Sequence, residues 1–376
     1  MSRTSVIVDA VRSPMGVKKG RLVGIRADEL AAQVVSALME RQPKVSKSDV
    51  EDLVLGCAFP EHTQGMLMGR GVALLAGFPE ETGGKVVNRF CGSSMDSVHQ
   101  LSQAILAGDL ECGVAVGVED MFAIPMGGFN PSFHPKLNEM EYYIGMGETA
   151  ENLAVDLEIG REEQEEFAIR SHTLALEAWK QGHFDNEVVP IHKGDEVIDK
   201  DEGPREPNVE KMRSLKAAFL KEGSITAATS SPISLGAAAV LVCSDEFAAK
   251  HGLAVRARIV SRAVAGVDWT RMGMGPIPAS EKSLERAGLN AGDLDYIELN
   301  EAFAAQSLYV LKKTGWSPEK VNVHGGAIAL GHPLGASGAR ILATLINVLE
   351  LKDGKKGLAT MCIGSGQGIA TIIERG

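Results

Sequence analysis

The chain has 376 residues, 44% of them hydrophobic and 23% charged, and a formal net charge of −11. That length is more than one core usually fills, so two structural units are expected. The negative charge argues against general nucleic-acid binding, because a polyanion would be repelled; an anionic small ligand stays open where basic side chains or helix N-termini are concentrated.

The opening stretch, "MSRTSVIVDAVRSP", is no secretory signal: its apolar run is short, and Asp9 and Arg12 follow at once. No run reaches the ~18 uncharged apolar residues of a membrane span. "SVIVDAV" reads as a strand, and "ADELAAQVVSALMER" places Leu30, Val34, Val35 and Leu38 at helical spacing. "VEDLVLGCA" reads as a buried strand. In "VNRFCGSSMDSVHQ", Cys91 falls at a strand-to-helix junction, with the helix running through Met95, Val98, Leu101 and Ile105. "CGVAVGVE" is another buried strand. From about 121 to 223 the composition shifts toward Pro, Gly, Met and charge. This stretch carries one amphipathic helix, "REEQEEFAIRSHTLALEAWKQG". Gln164, Phe167, Ala168, Ile169, Leu174 and Leu176 are expected to form its buried side, and Gly182 its stop. An insertion that long reads as a lid or specificity module over a site. Beyond it, "RARIVSRAV" reads as a strand and "ARILATLINVLEL" as a buried helix.

The chain repeats itself. "SDVEDLVLGCAF" resembles "GDLDYIELNEAF", with Phe59 matching Phe303 at an offset of 303 − 59 = 244. "VNRFCGSS" followed by "GVAVGVE" resembles "VNVHGG" followed by "GLATMCIG", and Gly113 to Gly357 is again 244. Val87 to Val321 is 234, so about ten extra residues fall around "AIALGHPLGA". Apolar strands alternating with helices in each copy predict paired α/β units with mostly parallel sheets. The first unit is expected over 1–255, with the insertion inside it, and the second over 256–376.

Five cysteines, with no C-x-x-C pair, argue against a disulfide framework and for reduced thiols in the cytoplasm. Nine histidines show no metal-ligand spacing, so no metal site is expected. P-loop, G-x-G-x-x-G, H-E-x-x-H and G-x-S-x-G patterns are absent. Four polar residues stand in small-residue loops: Cys91 in "NRFCGSS", Asn300 in "LNEAF", His332 in "ALGHPLGASG" and Cys362 in "MCIGSGQG". Taken singly, each has a plain explanation as a core thiol or a turn residue. Together they point to chemistry. A thiol at a helix N-terminus is expected to have a stabilised thiolate and a depressed pKa. His332 is the candidate base. The surrounding glycines present N–H donors for an oxyanion, and Cys362 is a second proton-transfer group. This fits acyl transfer through a thioester. Cys57, Cys112 and Cys243 lie within apolar runs and are expected to be structural.

"VNRFCGSSM", "GMGETAEN", "MGMGPIPAS", "LNEAFAAQ", "GGAIALGHPLGASGAR" and "GLATMCIGSGQGIAT" resemble the signature blocks of the thiolases, and the likeness extends over the whole chain. It is strongest to the bacterial degradative type, the 3-ketoacyl-CoA thiolases of β-oxidation. The resemblance implies an α/β thiolase fold of two duplicated halves in a five-layered αβαβα arrangement, with an inserted loop domain that binds CoA. It implies that Cys91 carries the acyl group, His332 activates it and sits in an oxyanion hole, and Asn300 holds a water that completes that hole. It further implies that Cys362 moves the second proton and that the N–H groups of Cys91 and Gly364 form the second oxyanion hole. Met146, Ser231 and Phe303 match the family's CoA-contact positions. Arg205 corresponds to the arginine near the adenine, with local spacing one residue short. Acyl-CoA and CoA are the implied substrates. A homodimer or dimer of dimers and a hydratase–dehydrogenase subunit are the implied partners.

Departures from the family pattern are Ala228, Pro232 and Leu235 in "TAATSSPISLGAA", expected to flank the pantetheine, and His324 where Asn is more usual. Gly145 replaces the His common in biosynthetic members and favours the degradative type. The expected reaction is thiolysis of a 3-ketoacyl-CoA. The reverse condensation of two acetyl-CoA is the alternative, and a non-catalytic CoA-binding scaffold the remoter one.

Overall fold

The computed structural model describes residues 3–376. The strands are β1 (Ser5–Arg12), β2 (Asp52–Gly56), β3 (Gly83–Val87), β4 (Cys112–Asp120), β5 (Ser234–Ser244), β6 (Ala257–Gly266), β7 (Tyr296–Leu299), β8 (Lys356–Ile363) and β9 (Gln367–Glu374). With a two-residue strand, Gly16–Val17, on β5, they make one ten-stranded sheet in the order β7–β8–β9–β6–β1–β5–β4–β2–β3. The longer helices are α1 (Ala27–Glu40), α2 (Met68–Leu75), α3 (Ser93–Ala107), α4 (Met146–Asp156), α5 (Arg161–Lys180), α6 (Pro276–Ala287), α7 (Ala304–Thr314) and α8 (Ser337–Leu351).

The duplication is visible in the pairing. Outward from the centre the first half reads β1–β5–β4–β2–β3, with two antiparallel pairings and then two parallel ones. The second reads β6–β9–β8–β7 with the same senses, and a parallel bridge from Ile297 to Val321 stands where β3 stands in the first half. The helices α3 and α8 are each 15 residues long and begin 244 residues apart, at Ser93 and Ser337. The extra residues before α8 form the short helix Ala327–Leu330 and the turn Leu334–Ala336. The halves join where β1 pairs antiparallel with β6, through Val6 with Arg258 and Ile7 with Ala257.

Strand alternation builds the layers. On β4, Cys112, Val114, Val116 and Val118 face an outer core shared with α1 and α2. The alternate residues, Gly113, Ala115 and Gly117, face the other way. Because they are small, α3 and α8 lie close against the sheet: a Cβ on Gly113 would stand 2.6 Å from Leu101 and one on Gly117 2.5 Å from Ser94 Cβ. The central core joins Met95, Val98, Leu101 and Ile105 of α3 to Ile341, Leu342 and Leu345 of α8 and to both sheet halves. Ala279 and Leu284 of α6 and Val310 of α7 pack with Leu358 and Ile372 on the far face. The result is five layers, αβαβα. The span Leu334–Leu351 is long and apolar enough to cross a membrane, but 89% of it is buried within this core.

The segment between β4 and β5 runs from 121 to 233, ten residues beyond the expected end. Its last residues are tied to the second half: Ser230 pairs with Phe303, and Ser231 N–H donates to Ala302 O at 3.0 Å. Within it α5 ends as expected, with Gly182 at φ 71°, but its buried stripe differs. Leu174 and Leu176 are only partly buried, and Ser171, His172, Ala175 and Ala178 take the inner side. Two of those are polar because they meet polar neighbours. Ser171 Oγ donates to Glu301 Oε2 at 2.6 Å, and His172 Nδ1 accepts from Arg205 N–H at 3.4 Å.

His324 lies in this packing, 2% exposed, its ring 4.6 Å from that of His183 and edge-on to Phe184. Neither ring nitrogen has a hydrogen-bond partner among the described residues, and burial pushes its pKa down to about 4. The folded state therefore holds this ring neutral, while the unfolded chain takes up a proton below about pH 6.5. Stability from this group is lost as pH falls from about 6.5 toward 4. His324→Asn should flatten that loss. Between pH 7 and pH 5 the wild-type chain should lose about 2 kcal/mol more than the variant in urea unfolding; equal losses would show that the ring is not held neutral.

Candidate active site

Cys91 sits in the turn Phe90–Gly92, directly before α3. Phe90 is left-handed, φ 42°, which costs an aromatic residue about 1–3 kcal/mol. The turn is held by its neighbours. Phe90 N–H donates to Asn88 Oδ1 at 2.9 Å, and Ser93 Oγ accepts from Arg89 N–H at 2.9 Å and donates to Phe90 O at 2.6 Å. The glycine that follows Cys91 allows the turn to lie on the end of β8, since a Cβ on Gly92 would stand 2.6 Å from Ile363 Cδ1. Cys362 is the neighbour of Ile363 on that strand. Gly364 opens the turn to β9, and its N–H and that of Cys91 both favour the Cys91 thiolate.

The depressed thiol expected at a helix N-terminus does not occur. Burial outweighs the two N–H groups and pushes Cys91 up to about 11. The Cys362 thiol is raised further, by burial first, and any thiolate on Cys91 beside it would raise it more. Both cysteines therefore rest as thiols. Cys57, Cys112 and Cys243 are fully buried, as their apolar surroundings suggest.

His332 follows Gly331, whose φ of 117° is open only to glycine and whose Cβ, if present, would stand 2.7 Å from Ser234 Oγ. That hydroxyl accepts from His332 N–H at 3.1 Å. The next turn, Leu334–Ala336, packs on the Cys91 turn. Glu119 at the end of β4 clamps the arrangement. Its buried carboxylate accepts from the N–H groups of Ala58 at 2.7 Å, Phe59 at 3.1 Å and Gly335 at 2.8 Å, and from Gln64 Nε2 at 3.0 Å.

The His332 ring has a defined tautomer. Ser337 Oγ donates its one hydrogen to Pro333 O at 2.9 Å, so it accepts from His332 Nδ1 at 2.6 Å. The lone pair then lies on Nε2, which accepts from Asn300 Nδ2 at 3.3 Å. Burial first, and the charge of Arg340 second, hold the ring neutral with a pKa of about 3. Asn300 itself is fixed by its N–H to Thr360 O, 3.0 Å, two residues before Cys362 on β8.

Three of the proposed CoA-contact residues share one neighbourhood with Cys362. Met146 opens α4, with its sulfur 3.3 Å from where a Cβ on Gly364 would stand. Phe303 precedes α7 and packs in the same apolar cluster as Cys362, and Ser231 reaches Ala302. Phe219, which sequence reading missed, packs edge-on to Phe303 at 5.7 Å. Arg205 is exposed and hydrogen-bonds to Gly203 O and His172, to none of these three. Leu235, expected beside a ligand, is instead fully buried in the outer core of the first half. Gly145 precedes α4, and its N–H donates to Glu148 Oε2 at 3.3 Å. Sequence reading also passed over Glu119, Ser337 and Arg340. A lone arginine in the apolar run "ARILATLINVLEL" was the available signal.

Two α/β halves with the same strand order, layered about a shared helix pair and bearing a cysteine turn at the N-terminus of one of those helices, form the thiolase architecture. The chain belongs to the thiolase family: residues 5–246 match the thiolase N-terminal domain and residues 253–375 the thiolase C-terminal domain. It is 49% identical to a 3-ketoacyl-CoA thiolase of Alcanivorax borkumensis, over 98% of each chain. It is 48% identical to one of Vibrio vulnificus, over 98% of this chain and 99% of the other. Among solved structures it superimposes on human mitochondrial 3-ketoacyl-CoA thiolase in complex with CoA, with TM-score 0.93, 35% identity and 100% and 98% coverage. The acetyl-CoA acetyltransferase of Bacillus anthracis gives TM-score 0.91, 40% identity and 100% and 99% coverage.

Cys91 alone among the five cysteines has solvent access. Iodoacetamide should therefore modify one thiol per native chain, at Cys91. The rate should keep rising with pH past 9, because the thiol is raised rather than depressed. Peptide mapping with a pH series checks both; a rate already level at neutral pH would mean a low-pKa thiol.

Proposed function

We propose that this chain cleaves 3-ketoacyl-CoA with CoA, giving acetyl-CoA and a shortened acyl-CoA, through an acyl group on Cys91. The observation that carries this is the pairing of two thiols of different access at one strand end, beside a neutral imidazole whose lone pair lies on Nε2, where Asn300 donates to it in the free protein. His332 Nε2 takes the Cys91 proton as sulfur attacks the ketone carbon. In the free protein that transfer is strongly uphill, so it proceeds only as the substrate oxygen takes up the electrons. The oxyanion re-forms its C=O, the C2–C3 bond breaks with its pair on C2, and Cys362 protonates C2 to release acetyl-CoA. The Cys362 thiolate then takes the proton of incoming CoA. The CoA sulfur attacks the acyl group, and Cys91 leaves and recovers its proton from His332.

Asn300 supports the oxyanion at the first step. The N–H groups of Cys91 and Gly364 support the one formed when CoA attacks. Met146, Ser231 and Phe303 bind the CoA arm, and Arg205 reaches toward the adenine end. The condensation of two acetyl-CoA uses the same groups in reverse, and the likeness to the Bacillus anthracis acetyltransferase favours it as the second reading. A dimer or dimer of dimers, and docking to a hydratase–dehydrogenase subunit, belong to the same reading.

Acetyl-CoA should acetylate Cys91 and no other cysteine, as located by mass spectrometry. Cys362→Ala should still accept that acetyl group yet lose about 10²–10⁴ in turnover, while His332→Ala should fail in acylation itself. Single-turnover acetylation decides between them, and the reverse pattern in folded proteins would exchange the two roles.

A further inference from the structure

The helix α8 is mostly apolar along its buried length, and Arg340 is its one buried charged residue, 1% exposed. Its Nη2 donates to Asn300 Oδ1 at 3.3 Å, while Nε and Nη1 have no hydrogen-bond partner among the described residues. Its paired carboxylate, Glu298 Oε2, stands 3.8 Å from Nη1. Taking a guanidinium out of water costs more than one long ion pair and one hydrogen bond return. A leucine here would serve the core better, so stability does not account for this residue.

Its geometry does. A guanidinium only donates, so it selects the oxygen of the Asn300 amide. The NH₂ group is then turned to His332 Nε2, at 3.3 Å. On the other side of the ring Nδ1–H donates to Ser337 Oγ, which donates to Pro333 O. Every link has one donor and one acceptor, and the chain runs one way from Arg340 to Pro333.

We propose that Arg340 is a positioning residue that sets which way the Asn300 amide faces and thereby keeps the His332 lone pair on Nε2. Without the guanidinium the amide turns over, Oδ1 faces Nε2, and a proton there becomes favoured. The charge of Arg340 acts in the same sense, against the imidazolium. Of the other ionisable groups packed against this loop, Cys91 rests uncharged. Glu119 holds the loop through Gly335 N–H, and burial pushes its own carboxyl up, toward the neutral form. The proposal rests on His332 being the base.

The test is single-turnover acetylation of Cys91 from about pH 5 to about pH 9 in the full chain, for Arg340→Met, Arg340→Gln, Arg340→Lys and His332→Ala. Arg340→Met should slow acylation about 10–100-fold and bring an acid limb into the range, with the KM for acetyl-CoA unchanged. Arg340→Lys keeps the charge and a donor, and should restore most of the rate and the level acid side. If Met and Lys slow the reaction equally at every pH, or alter only the unfolding midpoint, Arg340 merely holds the fold and the proposal fails. Should Arg340→Met not fold, the Gln and Lys variants carry the comparison: an acid limb in Gln alone supports the proposal, and identical level profiles overturn it. His332→Ala separates the two ideas. If it acylates at the wild-type rate, the base assignment fails. If it is inactive while the Arg340 variants keep the wild-type profile, only the positioning role fails.

Discussion

The close crossing of α3 and α8 is the contact on which the site depends. A Cβ on Gly338 would stand 2.4 Å from the backbone nitrogen of Met95, so the two helices touch backbone to backbone. Ala339 N–H donates to Ser94 Oγ at 2.9 Å across the same gap. Each helix belongs to a different copy of the repeat, and each is preceded by a reactive loop. Bringing the N-terminal turns together at the midline places the Cys91 turn on the His332 loop. The small residues of β4 let both helices approach the sheet, and Glu119 then ties the loop ends of the first copy to Gly335 of the second.

Burial, more than helix electrostatics, sets the resting state of this site. Two N–H groups favour a thiolate at Cys91, yet excluding water disfavours the charge by more. The same exclusion keeps His332 neutral, assisted by a buried guanidinium. A site that rests uncharged does not spend its nucleophile on stray electrophiles. It separates charge only when a substrate carbonyl is present to receive it.

The repeat made most of the fold legible. Duplication preserved the 244-residue spacing through both central helices and the strands after them, so the halves could be matched from a handful of apolar positions. What the spacing hid was where the copies diverged. The third strand of the second half has shrunk to the Val321 bridge, and an apolar helix pattern in α5 gave way to Ser171 and His172 because Glu301 and Arg205 lie opposite. Among the site residues, Cys91, His332, Asn300 and Cys362 stood out because small residues surround them. Glu119, Ser337 and Arg340 did not: their partners are distant in sequence, and a charged residue inside an apolar run says nothing by itself about what it touches. The thiol pKa was misjudged for a related reason, since the helix end is visible in sequence and the depth of burial is not.

The first strand is paired with the last strand of its own half, Ser5 opposite Ser244, and lies beside the first strand of the other. On a ribosome this means that β1 finds no partner until some 240 further residues have been made, on the order of ten to fifty seconds later at ordinary elongation rates. Until then "SVIVDAV" is an unpaired, β-branched segment of the kind that seeks other edges. A holdase bound to that segment until its partner strand is made would protect the whole sheet.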